Sequence, residues 1–197
     1  MENNHFENKI PAQEQLDIKF RIATTDEWQK CKELRLTSIS GSESNMMCLT
    51  PEKTKEETNK TEKEWRKETN SDTMFSVLAY SNLVAIGLGR TKEIKKGVWL
   101  VRNAYVKPEF RNMGIQQKIL ALRLNEIIKR EGTKALTVVR TDNPISKHNI
   151  EKFGFKKISL INQVIKIGRS ALKENIFELD LKDKEVIKKI EEILNKK

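Results

Sequence analysis

Cysteine and histidine are almost missing from this 197-residue chain, which holds two of each: Cys31 and Cys48, His5 and His148. Two thiols cannot build a disulfide framework or a four-cysteine centre, and two distant histidines make a zinc site a poor fit, so no metal is expected. No apolar run approaches the roughly 18–20 residues that cross a bilayer, which leaves no membrane partner. Residues 1–15 are polar and lack the apolar stretch of a secretory signal. Only four prolines and eight glycines are present, with no linker and no internal repeat. These absences together predict one cytoplasmic domain, and 37% hydrophobic content is enough for a single core.

Charge is plentiful but unevenly placed. Residues 1–85 carry 12 basic and 15 acidic side chains, residues 86–160 carry 17 and 6, and residues 161–197 carry 9 and 7. The formal net charge of +10 therefore comes from one contiguous stretch, which points to an anionic ligand there. A nucleic acid and a polyphosphorylated cofactor would both satisfy it. The stretch has no reader motif and lacks the interleaved aromatics of single-strand binders, so nucleic acid is the weaker reading.

Residues 1–16 read as a flexible leader, and residues 18–23 alternate apolar and polar as a first strand. Thr24 and Glu27 have capping-box spacing, after which Trp28, Cys31 and Leu34 recur at helical intervals. A short apolar patch at 46–49 precedes Thr50-Pro51, a cap and N1 proline that open a second helix running to about Thr69. Its only strong apolar contact is Trp65, so it reads as a solvated cover helix. Residues 74–80 and 83–89 are strands around a turn at Ser81-Asn82, and Val98–Val106 is a third. Ile119, Leu120, Leu124, Ile127 and Ile128 form a helical stripe that ends at Lys129, Arg130 and Gly132. Residues 135–140 are a strand, Asn143-Pro144 opens a helix closed by Gly154, and residues 155–160 and 176–181 are late strands. In the last segment, 182–197, Val186, Ile187, Ile190, Ile193 and Leu194 share one helical face, expected to dock on the domain (17–181) or on a second subunit of a homodimer. The predicted class is mixed α/β, with a mainly antiparallel front half.

The chemistry-bearing stretch is residues 105–116, where a strand runs through a tight turn straight into a helix. The turn's N–H groups and the first free amides of the helix converge on one spot and, with the helix dipole, form an anion site. Gly114 is where positive φ or close approach to a phosphate is needed, and Arg111 adds a charged donor. By itself, one glycine before a helix is equally compatible with a routine turn.

The spacing says more. Val106, Pro108, Arg111 and Gly114 resemble the acyl-CoA-binding signature of the GNAT superfamily of N-acetyltransferases, and the strand, Asn143-Pro144 and the helix ending in residues 152–155 resemble its second half. The resemblance implies an acetyl-CoA-dependent N-acetyltransferase that acts on an amine acceptor by direct attack on the thioester. It also implies a mostly antiparallel sheet flanked by helices, with parallel strands 98–106 and 135–140 splayed apart at the cofactor. Ala104, Tyr105 and Val106 would pair with the pantetheine arm through their backbones. Arg111, Asn112, Met113, Gly114, Ile115 and Gln116 would hold the pyrophosphate, with Asn143 and Ser146 on the pantetheine side. Asn143 is equally a simple helix cap. The backbone near Val106 would be the oxyanion donor.

The chain departs from that family at four positions. Ile150 stands where a tyrosine acid is often found, Val138 and Leu100 where carboxylates can sit, and Gln116 where a small residue ends the phosphate loop. Tyr105 and Asp142 are the remaining candidates for proton work, although a packed strand residue and a loop acid are simpler readings. His148 reads as a surface residue. A non-catalytic acyl-CoA sensor or scaffold is the alternative in keeping with the missing acid and base. The segment 38–70, which walls the acceptor site in the family, holds seven acids and six bases between Glu43 and Glu68, so it announces no substrate class.

Overall fold

A computed structural model describes residues 17–41, 51–158 and 174–196. The leader 1–16, the apolar patch 46–49 with Cys48, Thr50, and residues 159–160 of the expected late strand lie outside the described residues.

Strand β1 (Ile18–Ile22) leads through a single 3-10 turn, Thr25–Glu27, into α1 (Trp28–Ser40). Glu27 closes the capping box from within: its carboxylate accepts the Thr24 amide at 3.0 Å and a bidentate pair from Arg21, and Tyr80 also donates to it. Next come α2 (Pro51–Asn59) and α3 (Glu62–Thr69), where the sequence predicts one continuous cover helix. The break falls at Lys60-Thr61. Thr61 caps α3 reciprocally with Glu64: its Oγ1 accepts the Glu64 amide at 3.3 Å while its own amide donates to Glu64 Oε2 at 2.8 Å.

The sheet follows: β2 (Asn70–Ser71), β3 (Met74–Ser81), β4 (Val84–Lys95) and β5 (Val98–Val106) form an antiparallel run. Strand β4 extends well beyond the expected end at Gly89, because its polar residues Arg90, Thr91, Lys92, Glu93 and Lys95 find ladder partners in the first half of β5. Helix α4 (Ile115–Lys129) leads to β6 (Lys134–Arg140), α5 (Pro144–Phe153), β7 (Lys156–Ile158), β8 (Glu174–Asp180) and α6 (Lys184–Asn195). The strand order is β1-β3-β4-β5-β6-β8-β7, with β2 on β3, and β5–β6 is the parallel pair.

Alternation along the strands gives the sheet two apolar faces. On one, Phe75, Val77 and Trp99 pack beneath Ile119, Leu124 and Ile127 of α4. Val186 and Ile190 of α6 join this cluster, and Lys118 Nζ donates to the C-terminal Leu194 carbonyl at 2.9 Å. On the other face, Leu78, Tyr80 and Leu88 meet Cys31 and Leu34 of α1. Burial raises the Cys31 thiol to about 11, so it behaves as a small apolar side chain.

Packing between α4 and β4 leaves no spare volume. A Cβ at Gly89 would lie 2.5 Å from Ile119 Cγ2 and 2.8 Å from Arg123 Nε. Gly89→Ala therefore overpacks the interface and is expected to cost about 1–3 kcal/mol, measured by urea unfolding against wild type.

Candidate active site

The parallel pair is the sheet's irregular place. Val98, Trp99 and Leu100 pair with Lys134, Ala135 and Leu136, and there the ladder stops, although β5 continues to Val106 and β6 to Arg140. Beyond Leu100 the strand also bulges. Leu88 pairs with Tyr105 and Arg90 with Arg102, so β5 carries one residue more than β4, and Asn103 takes a left-handed φ of 51°. Arg123 of α4 braces this point from below, its NH1 donating to the carbonyls of Arg102 at 3.2 Å and Arg90 at 3.3 Å.

A cleft of about 470 Å³ opens where the strands part. One flank is Asn103 and Ala104 of β5 with Gln116, Gln117 and Leu120 of α4, facing Asn143 and Ser146 at the head of α5 and Ile150 on its later turn. The Asn143 carboxamide oxygen accepts the Ser146 amide at 2.9 Å, which makes it the α5 cap and leaves its NH2 for another partner. Leu100, Val138 and Ile150 all line the cleft, so the three positions at which the sequence lacks an acid or base form an apolar middle.

Beside the cleft, the turn from β5 into α4 has the form its sequence suggested. Pro108–Phe110 make a 3-10 turn, Asn112 and Gly114 adopt φ of 63° and 73°, and Gly114 is the N-cap of α4. Nothing lies within 4 Å of a Cβ placed on Gly114, so the space over the helix N-terminus is open. Arg111 Nε donates to the Val106 carbonyl at 3.2 Å, tying the turn to the strand end. Asn112, Met113 and Gln116 are exposed, whereas the Ile115 side chain anchors α4 in the core.

Other sequence candidates are placed elsewhere. Of Ala104, Tyr105 and Val106, only Ala104 lines the cleft; the lining stretch of β5 is residues 100–104. Tyr105 packs among Leu34, Leu78 and Leu88, and Val106 sits in the α4-side core. Asp142 is exposed and paired with Arg140 at 2.7 Å through Nε, and His148 is exposed.

The opposite flank, built from α1, α2, α3, β4 and β5, is dense with charge the sequence did not flag. Glu57, 8% exposed, pairs with Lys60 at 3.0 Å, accepts a hydrogen bond from Arg90 at 3.2 Å and lies 3.4 Å from Arg35 as an ion pair. Glu68 pairs with Arg90 and accepts Lys60 at 2.8 Å. Burial raises the Glu57 pKa, but Arg90, Arg35 and Lys60 outweigh it and bring the carboxyl down to about 2. Burial and the nearby Arg90 lower the Lys60 ammonium to about 8, against the upward pull of Glu57. The available signal was a cation on an apolar period: Arg123 between Leu120, Leu124 and Ile127, and Arg90 two residues after Leu88.

An eight-stranded mixed sheet whose parallel pair parts beside a glycine-capped helix defines the acyl-CoA N-acyltransferase class of fold. Residues 42–155 match the acetyltransferase (GNAT) family, and the chain belongs to it. No curated protein matches the chain by sequence. Among solved structures it is similar to PaiA N-acetyltransferase from Thermoplasma acidophilum in complex with coenzyme A, at 16% identity and a TM-score of 0.65 over 84% of this chain and 99% of that one. YncA of Salmonella typhimurium, a putative acetyltransferase with acetyl-CoA, gives 16% and 0.65 over 85% and 95%. The ribosomal-protein-S18-alanine N-acetyltransferase of Escherichia coli gives 14% and 0.58 over 83% and 94%.

The ion-pair cluster yields a test. Folding lowers the Glu57 pKa below its ordinary 4.5, so its contribution to stability is present above that value and disappears as pH falls towards about 2. Glu57→Gln should cost about 3–5 kcal/mol at neutral pH, because buried guanidinium groups lose their carboxylate. In thermal unfolding the gap between wild type and variant should close between pH 4.5 and pH 2.

Proposed function

We propose that this chain is an N-acetyltransferase that moves the acetyl group of acetyl-CoA to a primary amine. The observation that carries the reading is the parting of β5 from β6 directly beside the open, glycine-capped N-terminus of α4. Bound there, the donor supplies an electrophilic thioester carbonyl: the amine nitrogen bonds to that carbon, the C–S bond breaks, the amine proton leaves, and the products are an amide and CoA thiol.

The chain's own groups divide the work. Backbone amides of Asn112 to Gln116 and the helix dipole hold the pyrophosphate, with Arg111 near the strand end. The edge of β5 that β6 has vacated, residues 101–104, offers main-chain groups to the pantetheine arm as a neighbouring strand would. Asn143 and Ser146 flank the arm from α5. A β5 amide beside the bulge, rather than that of Val106, donates to the carbonyl oxygen. Glu57, held near pKa 2, is too weak a base for an amine at neutral pH. The reaction therefore relies on orientation and on solvent for proton transfer.

Two measurements test this. Gly114→Asn keeps the left-handed backbone accessible while placing a side chain where the phosphates bind. Acetyl-CoA affinity by calorimetry should fall by about tenfold or more, one charge-assisted contact, with little change in Tm. Unchanged affinity contradicts the assignment. Second, kcat/KM should rise with pH to a plateau, with no descending limb from an enzyme acid. A descending limb near pH 8 that vanishes in Lys60→Met would instead identify Lys60 as the proton donor.

A further inference from the structure

Away from the phosphate turn, charged side chains crowd the inner flank of the cleft. Six lining side chains are cationic and three are carboxylates. Two of those carboxylates, Glu57 and Glu68, are already engaged by Arg35, Arg90 and Lys60. Lys92 has no carboxylate partner among the described residues. Burial, then the nearby cations Arg102, Lys67 and Lys60, lower its pKa. Arg123 is 3% exposed, commits NH1 to two main-chain carbonyls, and keeps a buried Nε that no group satisfies.

The phosphates of the donor do not account for this excess. On the reading above they sit over the α4 N-terminus, and the pantetheine arm between the two places carries no charge. The inner flank is also where the amine must enter, because the carbonyl it attacks lies at the parted strands. A second ammonium would find only the exposed Glu56 outside the ion pairs and several cations against it, whereas an anionic group would find Lys92 without a carboxylate partner among the described residues.

We propose that the acceptor is a small primary amine that also carries a carboxylate, held by Lys92 beside Arg102 and Arg123 while its amine faces the parted strands. The proposal rests on the acetyl-transfer reading and adds the chemical class of the acceptor to it. The amine must shed one proton to solvent before attack, and the carboxylate stays ionised throughout.

The test uses the full chain, acetyl-CoA, and free amino acids of several lengths, each paired with its carboxamide, together with putrescine. CoA thiol release gives kcat and KM, and calorimetry gives the acetyl-CoA Kd. At least one amino acid should exceed its carboxamide in kcat/KM by about tenfold, the scale of a charge-assisted hydrogen bond. In Lys92→Met that preference should collapse through KM with the acetyl-CoA Kd unchanged, and Lys92→Arg should restore it. Equal or better turnover of carboxamides or putrescine overturns the proposal, as does a preference that survives Lys92→Met. Acetyl-CoA binding with no amino acid turned over overturns it too but leaves the cofactor reading standing, whereas failure to bind acetyl-CoA removes that reading as well.

Discussion

A parallel ladder that stops after three pairs leaves the facing edges of β5 and β6 with main-chain donors and acceptors unmatched by the sheet, and the rest of the molecule is organised around that opening. Isolated edges of this kind are normally shortened, charged or covered. Here both strands continue, so the gap is a slot with backbone walls. The Asn103 bulge bends β5 away from its neighbour, and Arg123 fixes the bend by bonding to the carbonyls of Arg90 and Arg102. Gly89 is the counterpart of that brace, since any larger residue would strike the guanidinium.

The bulge also decides which core Tyr105 joins. Trp99 and Val101 face α4, and an unbroken period of two would put Tyr105 with them. One extra residue at Asn103 shifts the phase, sending Tyr105 to Cys31 and Leu34 and Val106 to the α4 face. A single-residue slip is invisible to pattern reading because Asn103 is polar on either face.

The turn into α4 was legible because its chemistry is local. Val106, Pro108, Arg111 and Gly114 constrain one another over nine residues, and the backbone does the rest. The charged flank was not legible, because its partners come from five elements far apart in sequence. Glu57, Lys60 and Glu68 look like the solvated face of a polar helix, and only the fold reveals that Arg35 and Arg90 are waiting beneath them. Only part of the excess basic charge of residues 86–160 serves these places: Arg111 at the turn, and Lys92, Arg102 and Arg123 lining the cleft with Arg90 beside them, while Arg130 packs on Phe75 and Trp99 and Lys134 pairs with Glu178.

Those two places make different demands on a bound molecule. Over the α4 N-terminus, amides and dipole suit phosphate with little desolvation. In the cleft, Lys60 is itself a primary amine, and burial with the nearby Arg90 lowers its pKa to about 8 even with Glu57 beside it. On the proposed function, the acceptor amine lies at the parted strands next to this cluster, where nearby positive charge favours the neutral form that attacks. Apolar Leu100, Val138 and Ile150 then cease to be a deficiency, because a field set by fixed charges does part of the work of a base. Glu57 and Glu68 balance that charge from within, since without them Arg35 and Arg90 would be buried and uncompensated.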